Sequence, residues 1–197
     1  MIKIGINGFG RIGRLILRAL LENYKEKIQV VAINDLGSIE ANAHLVKYDS
    51  THGTLPYNVE TSKDGFKILN QNIKVFAERD PANLPWGKEG VDVVLECTGL
   101  FLDKTSAEKH IKAGAKKVII SAPAKDVDFT IVQGVNSKDL KKEHNVISNG
   151  SCTTNCLAPV AMVLEKNFGI EYGYMTTIHS YTGDQKLLDT LHKDLRR

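Results

Sequence analysis

The sequence predicts a doubly wound α/β fold on a parallel sheet, and three observations carry that expectation. Short β-branched runs alternate with longer amphipathic stretches from the first residues onward. Several of the runs are apolar throughout, as strands buried on both faces are. A glycine cluster stands where the first run passes into the first amphipathic stretch.

In chain order, Ile2 to Asn7 reads as a strand, Arg11 to Glu22 as a helix, Gln29 to Asn34 as a strand and Glu40 to Val46 as a helix. Further strands are expected at Lys67 to Leu69, Ile73 to Ala77, Val91 to Glu96, Lys117 to Ser121 and Val146 to Ser148. Thr105 followed three residues later by Glu108 suggests a capping box opening a helix that Gly114 ends. Asp80-Pro81 and Pro85-Trp86-Gly87 mark turns, and Lys138 to Lys142 reads as a solvated helical turn. No repeat or low-complexity linker appears; the boundary that can be argued lies near Asn149-Gly150, where a strand gives way to Ser151-Cys152-Thr153-Thr154-Asn155-Cys156 and a long apolar helix. That divides the chain into residues 1–150 and 151–197.

Hydrophobic residues make up 42% of 197, enough for a substantial core, so disorder is not expected. Lys and Arg number 26 against 23 Asp and Glu with the signs interspersed, which gives no argument for nucleic acid or a membrane as partner. No signal peptide is expected and no apolar run is long enough to span a bilayer, and the thiols Cys97, Cys152 and Cys156 suit a reducing cytoplasm. The Cys152–Cys156 spacing lacks the second Cys or His pair of a zinc site, so no metal is expected.

Gly8-Phe9-Gly10-Arg11-Ile12-Gly13 follows the first strand and opens the first helix, the context of a dinucleotide fingerprint and of a Rossmann-type sheet. Its glycines permit a tight turn and close approach, and the helix N-terminus offers unsatisfied N–H groups and a dipole to a pyrophosphate, with Arg11 as a cation beside it. Taken alone, the pattern suits an ordinary glycine-rich strand-to-helix turn equally well. Asp35 supplies the context: it ends the second strand about 20 residues on, where a carboxylate accepts hydrogen bonds from the adenosine ribose and repels a 2′-phosphate, favouring NAD over NADP.

Cys152 falls at the start of the last helix, expected to run to about Lys166, where the N-terminus stabilises a thiolate. Ser151 and Thr153 place small hydroxyl donors beside it for a phosphate or oxyanion, and Cys156, one turn on, reads as a packing residue. A base for the thiol is offered by His179, at the end of an expected apolar strand from Tyr174 to Ile178. The residues alone favour a structural histidine there, and His44, His52, His110, His144 and His192 compete for the role.

Ile4 to Arg14, Ser151 to Pro159 and Thr176 to Thr182 together resemble the phosphorylating glyceraldehyde-3-phosphate dehydrogenases, and the resemblance runs the whole chain. It is most specific in Ser-Cys-Thr-Thr-Asn-Cys. The resemblance implies a Rossmann-type NAD-binding domain over 1–150 and the beginning of an α+β catalytic domain over 151–197. It implies NAD as cofactor, held by Gly8, Gly10, Arg11, Ile12, Gly13, Asp35, Arg79, Thr98, Gly99 and Ser121. It makes Cys152 the nucleophile that forms a hemithioacetal and then a thioester, and His179 its base. Ser151, Thr153, Thr182 and Arg197 become contacts for glyceraldehyde 3-phosphate and inorganic phosphate, which leave as 1,3-bisphosphoglycerate.

Erythrose 4-phosphate is the substrate of a sibling enzyme, and a catalytically incomplete NAD-binding fragment is the reading from a different class. Thr190-Leu191 stands where NAD-specific relatives often carry Leu-Pro. Members of the family continue well beyond the position of Arg197 and usually form homotetramers, so the 197 residues alone are expected to bind NAD weakly and to catalyse poorly.

Overall fold

A computed structural model describes residues 1–183 and residue 185. In chain order the elements are β1 (Ile2–Asn7), α1 (Arg11–Asn23), β2 (Ile28–Asn34), α2 (Ile39–Lys47), β3 (Tyr48–Asp49), β4 (Gly53–Thr54), β5 (Val59–Ser62), β6 (Gly65–Ile68), β7 (Gln71–Phe76), β8 (Val93–Glu96), α3 (Lys104–Lys112), β9 (Lys117–Ile120), β10 (Phe129–Thr130), β11 (Val146–Ser148) and α4 (Cys152–Phe168). Two compact units are present, Met1–Val160 and Ala161–Arg197.

In the first unit the described residues form a nine-stranded sheet in the order β10-β11-β9-β8-β1-β2-β7-β6-β5. From β11 to β7 every pairing is parallel. Numbered by their order in the chain, these six parallel strands lie 6-5-4-1-2-3, the doubly wound order, with the switch point between β1 and β8. β5 and β6 add antiparallel strands beyond β7. Parallel strands all end on one edge, so every loop that follows one of them opens on the same side.

The sheet carries a core on each face because its strands alternate. Ile4, Ile6 and Ile33 join Leu17 and Leu21 of α1 and Ala43 and Val46 of α2 in one cluster. Ala32, Val94, Val118 and Ile120 join Ala107 of α3 and the fully buried Trp86 in the other. In α1 the buried Gly13, Leu17 and Leu21 recur every four residues, which turns one stripe inward.

Apart from the strand expected at Tyr174 to Ile178, the predicted strands and helices are present with ends shifted by a residue or two, and the differences have local causes. Leu69 does not extend β6; it takes φ +53 and forms with Asn70 the two-residue turn that pairs Ile68 with Gln71. Helix α3 is capped by Asp103 rather than Thr105: the Asp103 carboxylate accepts the Ser106 N–H at 2.9 Å, and Lys104 is already helical. Replacing Asp103 by Ala is therefore expected to lower the melting temperature by a few degrees while Thr105→Ala leaves it unchanged, as thermal unfolding followed by circular dichroism will show. Gly114 ends α3 at φ +105, as expected.

The expected strand at Tyr174 to Ile178 is not formed: these residues have no ladder partner among the described residues, and Tyr174 and Ile178 are 98% and 100% exposed. An apolar run without a neighbouring strand has nothing to satisfy its backbone groups as a ladder does. No helix among the described residues is long and apolar enough to cross a membrane.

Candidate functional site: a dinucleotide crevice and a thiol at a helix start

The switch point is closed by two loops that touch through backbone. Gly8 follows β1 at φ +88, and a Cβ there would stand 2.7 Å from the Thr98 nitrogen in the loop after β8. Gly13 lies one helical turn into α1, where a Cβ would stand 2.2 Å from the Gly8 carbonyl oxygen. Both positions exclude any side chain. Around Gly10 the opposite holds: no atom lies within 4 Å of a Cβ position, so the outer face of the turn is open. Gly10 is also the N-cap of α1 and brings no side chain to the helix start. The first N–H groups of α1, with the positive end of the dipole, are left facing that open space, and this cradle fits a dinucleotide's pyrophosphate.

Asp35 holds this loop from the end of β2. Its carboxylate accepts the N–H of Phe9 and that of Gly37, each at 2.9 Å, one on each oxygen. It is half-buried, and a carboxylate oxygen accepting one hydrogen bond keeps capacity for a second, as a ribose hydroxyl requires.

Arg11 departs from the sequence reading in part. Its guanidinium forks onto Asp49, at 2.5 and 3.3 Å, so what it offers an anion directly is its backbone N–H. Asp49 is held well below the usual carboxylate range, first by the His52 N–H and also by Arg11 and the Thr51 N–H. No sequence pattern marks Asp49, because it sits 38 positions from its partner in a two-residue strand.

Ile12 is exposed beside the open turn. Thr98 is half-buried, with its N–H bound to Glu96 at 2.7 Å, and the exposed Gly99 has nothing within 4 Å of its Cβ position. Ser121 is half-buried next to β8, donating its N–H to the Glu96 carbonyl at 3.0 Å, and Arg79 is exposed just after β7. The cofactor residues expected from the sequence thus come from the ends of β1, β2, β7, β8 and β9, which are neighbours along one edge.

Cys97 lies under this crevice and is chemically quiet: burial pushes its thiol up to about 12. The thiol at the helix start is different. Gly150, at φ +67, turns the chain out of β11, and Ser151 caps α4 by accepting the Thr154 N–H at 2.9 Å. Asn155 clamps the same turn by donating to the Asn149 and Ser151 carbonyls at 2.7 and 2.9 Å. Cys152 is the first residue of α4 and exposed, with half-buried Thr153 next to it. At about 4.8 Å per strand, β11 stands some 14 Å along the edge from β1. Cys156 is exposed rather than packed, since nothing in the first unit covers its side of α4.

His179 and Thr182 belong to the second unit, and both are exposed. The His179 Nδ1 lies 2.5 Å from the Ser180 carbonyl, which can only accept, so Nδ1 carries a proton. The Thr182 N–H donates to the Gln185 side chain at 3.0 Å. Arg197, like His192 and Thr190-Leu191, lies outside the described residues. Of the competing histidines, His110 is fully buried and so removed from any substrate.

A doubly wound parallel sheet with a glycine turn at its switch point and an acid at the end of the second strand defines a dinucleotide-binding domain of the dehydrogenase class. Residues 2–104 match the family model described as glyceraldehyde 3-phosphate dehydrogenase, NAD binding domain, and residues 151–197 match that family's C-terminal domain. The chain belongs to the glyceraldehyde-3-phosphate dehydrogenase family, and NAD is the cofactor its first domain is built for. It is 57% identical over 197 residues to a glyceraldehyde-3-phosphate dehydrogenase of Pseudomonas aeruginosa, covering 100% of this chain and 59% of the relative. Similar relatives of the same name come from Xanthobacter flavus, at 57% identity over 100% of this chain and 58% of the relative, and from Streptomyces coelicolor, at 58% over 100% and 58%. The chain thus spans somewhat under three-fifths of the length of these curated relatives.

Proposed function

We propose that the chain carries the cofactor site and the nucleophile of an NAD-dependent phosphorylating aldehyde dehydrogenase that converts glyceraldehyde 3-phosphate and inorganic phosphate to 1,3-bisphosphoglycerate. The observation that carries this reading is the place of Cys152: an exposed thiol at the first turn of a 17-residue helix, on the same sheet edge as the dinucleotide turn. The N-terminus of α4 favours the thiolate over the thiol.

In this reading His179 takes the Cys152 thiol proton, the sulfur attacks the aldehyde carbon, a C–S bond forms, and the carbonyl oxygen takes that proton back from His179 to give the hemithioacetal. His179 Nε2 then removes that hydroxyl proton as the C–H bond breaks. Bound NAD supplies the acceptor for the departing hydride. The acyl group is left as a thioester on Cys152, and an oxygen of inorganic phosphate attacks its carbonyl carbon while the sulfur leaves as thiolate. Thr153 and Thr182, with Ser151 and Arg197, bind the two phosphates; an arginine suits this by charge and fork geometry. Residues 1–150 form the NAD-binding domain and 151–197 the beginning of the catalytic domain. The whole protein works as a homotetramer in the cytoplasm.

The test is NADH formation followed by absorbance with glyceraldehyde 3-phosphate, NAD and phosphate. Turnover that requires phosphate and exceeds that with erythrose 4-phosphate is the expected result. NADH formation indifferent to phosphate, or faster with erythrose 4-phosphate, refutes the assignment.

A further inference from the structure

Beneath the crevice the four strand ends β8, β1, β2 and β7 are joined side to side by buried side chains that carry no recognisable motif. Glu96, the last residue of β8, is 1% exposed. One of its oxygens accepts both the N–H of Thr98, at 2.7 Å, and the Thr98 hydroxyl. The other accepts the Asn7 side-chain amide at 2.6 Å and faces His110 Nε2 at 3.0 Å. The line continues away from β8: Asn34 donates to Asn7 Oδ1 at 2.7 Å and to the Glu78 carbonyl at 2.8 Å, and accepts the Glu78 N–H at 2.8 Å. Each rung meets one loop that borders the cofactor site, namely the glycine turn after Asn7, Asp35 after Asn34, Arg79 after Glu78 and Gly99 after Thr98.

The protons in this network are assigned by chemistry. An indole N–H can only donate, and Trp86 Nε1 donates to His110 Nδ1 at 2.9 Å. His110 therefore carries its proton on Nε2 and gives it to Glu96. Three partners of Glu96, the Thr98 N–H, the Asn7 amide and the His110 Nε2–H, can only donate, and the Thr98 hydroxyl completes a set of four donors around the carboxylate. Thr98 is doubly bound: its hydroxyl donates to Glu96 and accepts the Leu100 N–H at 3.0 Å, which sets the path of residues 98–100.

The geometry points to Glu96 as a positioning residue for the dinucleotide: buried beneath the crevice, it fixes the Thr98–Leu100 loop against the glycine turn, and through Asn7 and Asn34 it sets the spacing of the other two cofactor loops. Glu96 reaches no ligand itself. The inference rests on the NAD-binding reading and adds to it a residue, Glu96, together with Asn7, Asn34 and His110, that the glycine pattern does not contain.

The test uses the one tryptophan of the chain. Trp86 is fully buried and three hydrogen bonds away from Thr98 by way of His110 and Glu96, so its indole N–H gives a single NMR signal that senses the network without touching a ligand. In the 197-residue chain, titration with NAD is expected to shift that signal. Glu96→Gln, which sets an NH2 group against two of the four donors, is expected to keep the thermal unfolding cooperative, to raise the NAD dissociation constant tenfold or more by calorimetry, and to uncouple the indole signal from NAD. A Glu96→Gln chain that binds NAD within about twofold of the unaltered one, with the indole shift intact, overturns the proposal.

Should Glu96→Gln fail to fold, Thr98→Val and Thr98→Ser decide: loss of affinity with Val and recovery with Ser supports the network, and equal binding by both refutes it. Should the unaltered chain bind no NAD, the dinucleotide reading fails rather than the network. Hydrogen exchange at the Thr98 and Leu100 amides then decides, with faster exchange in Glu96→Gln supporting loop fixation and unchanged exchange excluding it.

Discussion

A methyl group at position 13 is expected to abolish measurable NAD binding and to cost about 2–3 kcal/mol of stability. The Cβ of Gly13→Ala would stand 2.2 Å from the Gly8 carbonyl oxygen, a backbone atom that cannot rotate aside. Relief requires α1 to move off the turn by roughly an ångström, since ordinary carbon–oxygen contact begins above 3 Å. That movement also parts Gly8 from Thr98 and opens the crevice floor. Gly10→Ala provides the contrast. Its φ is −70° and its Cβ position has no neighbour, so the fold should lose less than about 1 kcal/mol, from the poorer N-cap alone. Its methyl group nevertheless occupies the side of the turn from which a diphosphate approaches, and NAD affinity should fall well beyond that stability change. Thermal unfolding and calorimetric titration of both variants separate the two effects. Native-like NAD affinity in Gly10→Ala would place the cofactor elsewhere.

Cys152→Ser is expected to lower turnover by four orders of magnitude or more while leaving the melting temperature unchanged. The side chain is exposed and serine suits a helix's first turn, so the helix start is kept. What is lost is a thiol whose thiolate a helix N-terminus favours, and a serine hydroxyl does not ionise at a helix start. Labelling by iodoacetate, mapped by mass spectrometry, should rank the thiols in the same way. Cys152 should react first and Cys97 last: with its thiol at about 12, an ionised fraction on the order of 10⁻⁴ remains at pH 8. If Cys156 were modified as fast as Cys152, activation at the helix start would be refuted.

What was readable in the sequence is what is encoded locally. The glycine turn works through backbone conformation over six consecutive residues, and the Asp35 spacing is fixed by the length of one β-α-β unit, so both could be placed from residue types alone. Ser151 to Cys156 is local in the same way. The Glu96 network is not: Asn7 and Glu96 are 89 positions apart and Trp86 and His110 are 24, and each looks like an unremarkable core or loop residue until the strands are laid side by side.

The short strands β3, β4 and β10 escaped because two residues carry no period, and β5 because Glu60-Thr61-Ser62 reads as a loop. Sequence alone puts the cap of α3 two residues late because Asp103 and Thr105 are both good capping residues, and the choice depends on where the chain arrives from β8. The run before His179 has a strand's composition, yet composition cannot supply the neighbour that makes a strand.

The two margins of the large sheet have a consequence for solubility. At one side β10 offers only Phe129 and Thr130, and at the other β5 is Val59-Glu60-Thr61-Ser62, with three of four residues exposed. A pair of residues is too short a template for a foreign strand, and a charged, hydroxyl-rich margin disfavours stacking of like chains. The sheet is therefore guarded at both ends against growing into a fibril, and copies of this domain that meet at high concentration have to associate through other surfaces.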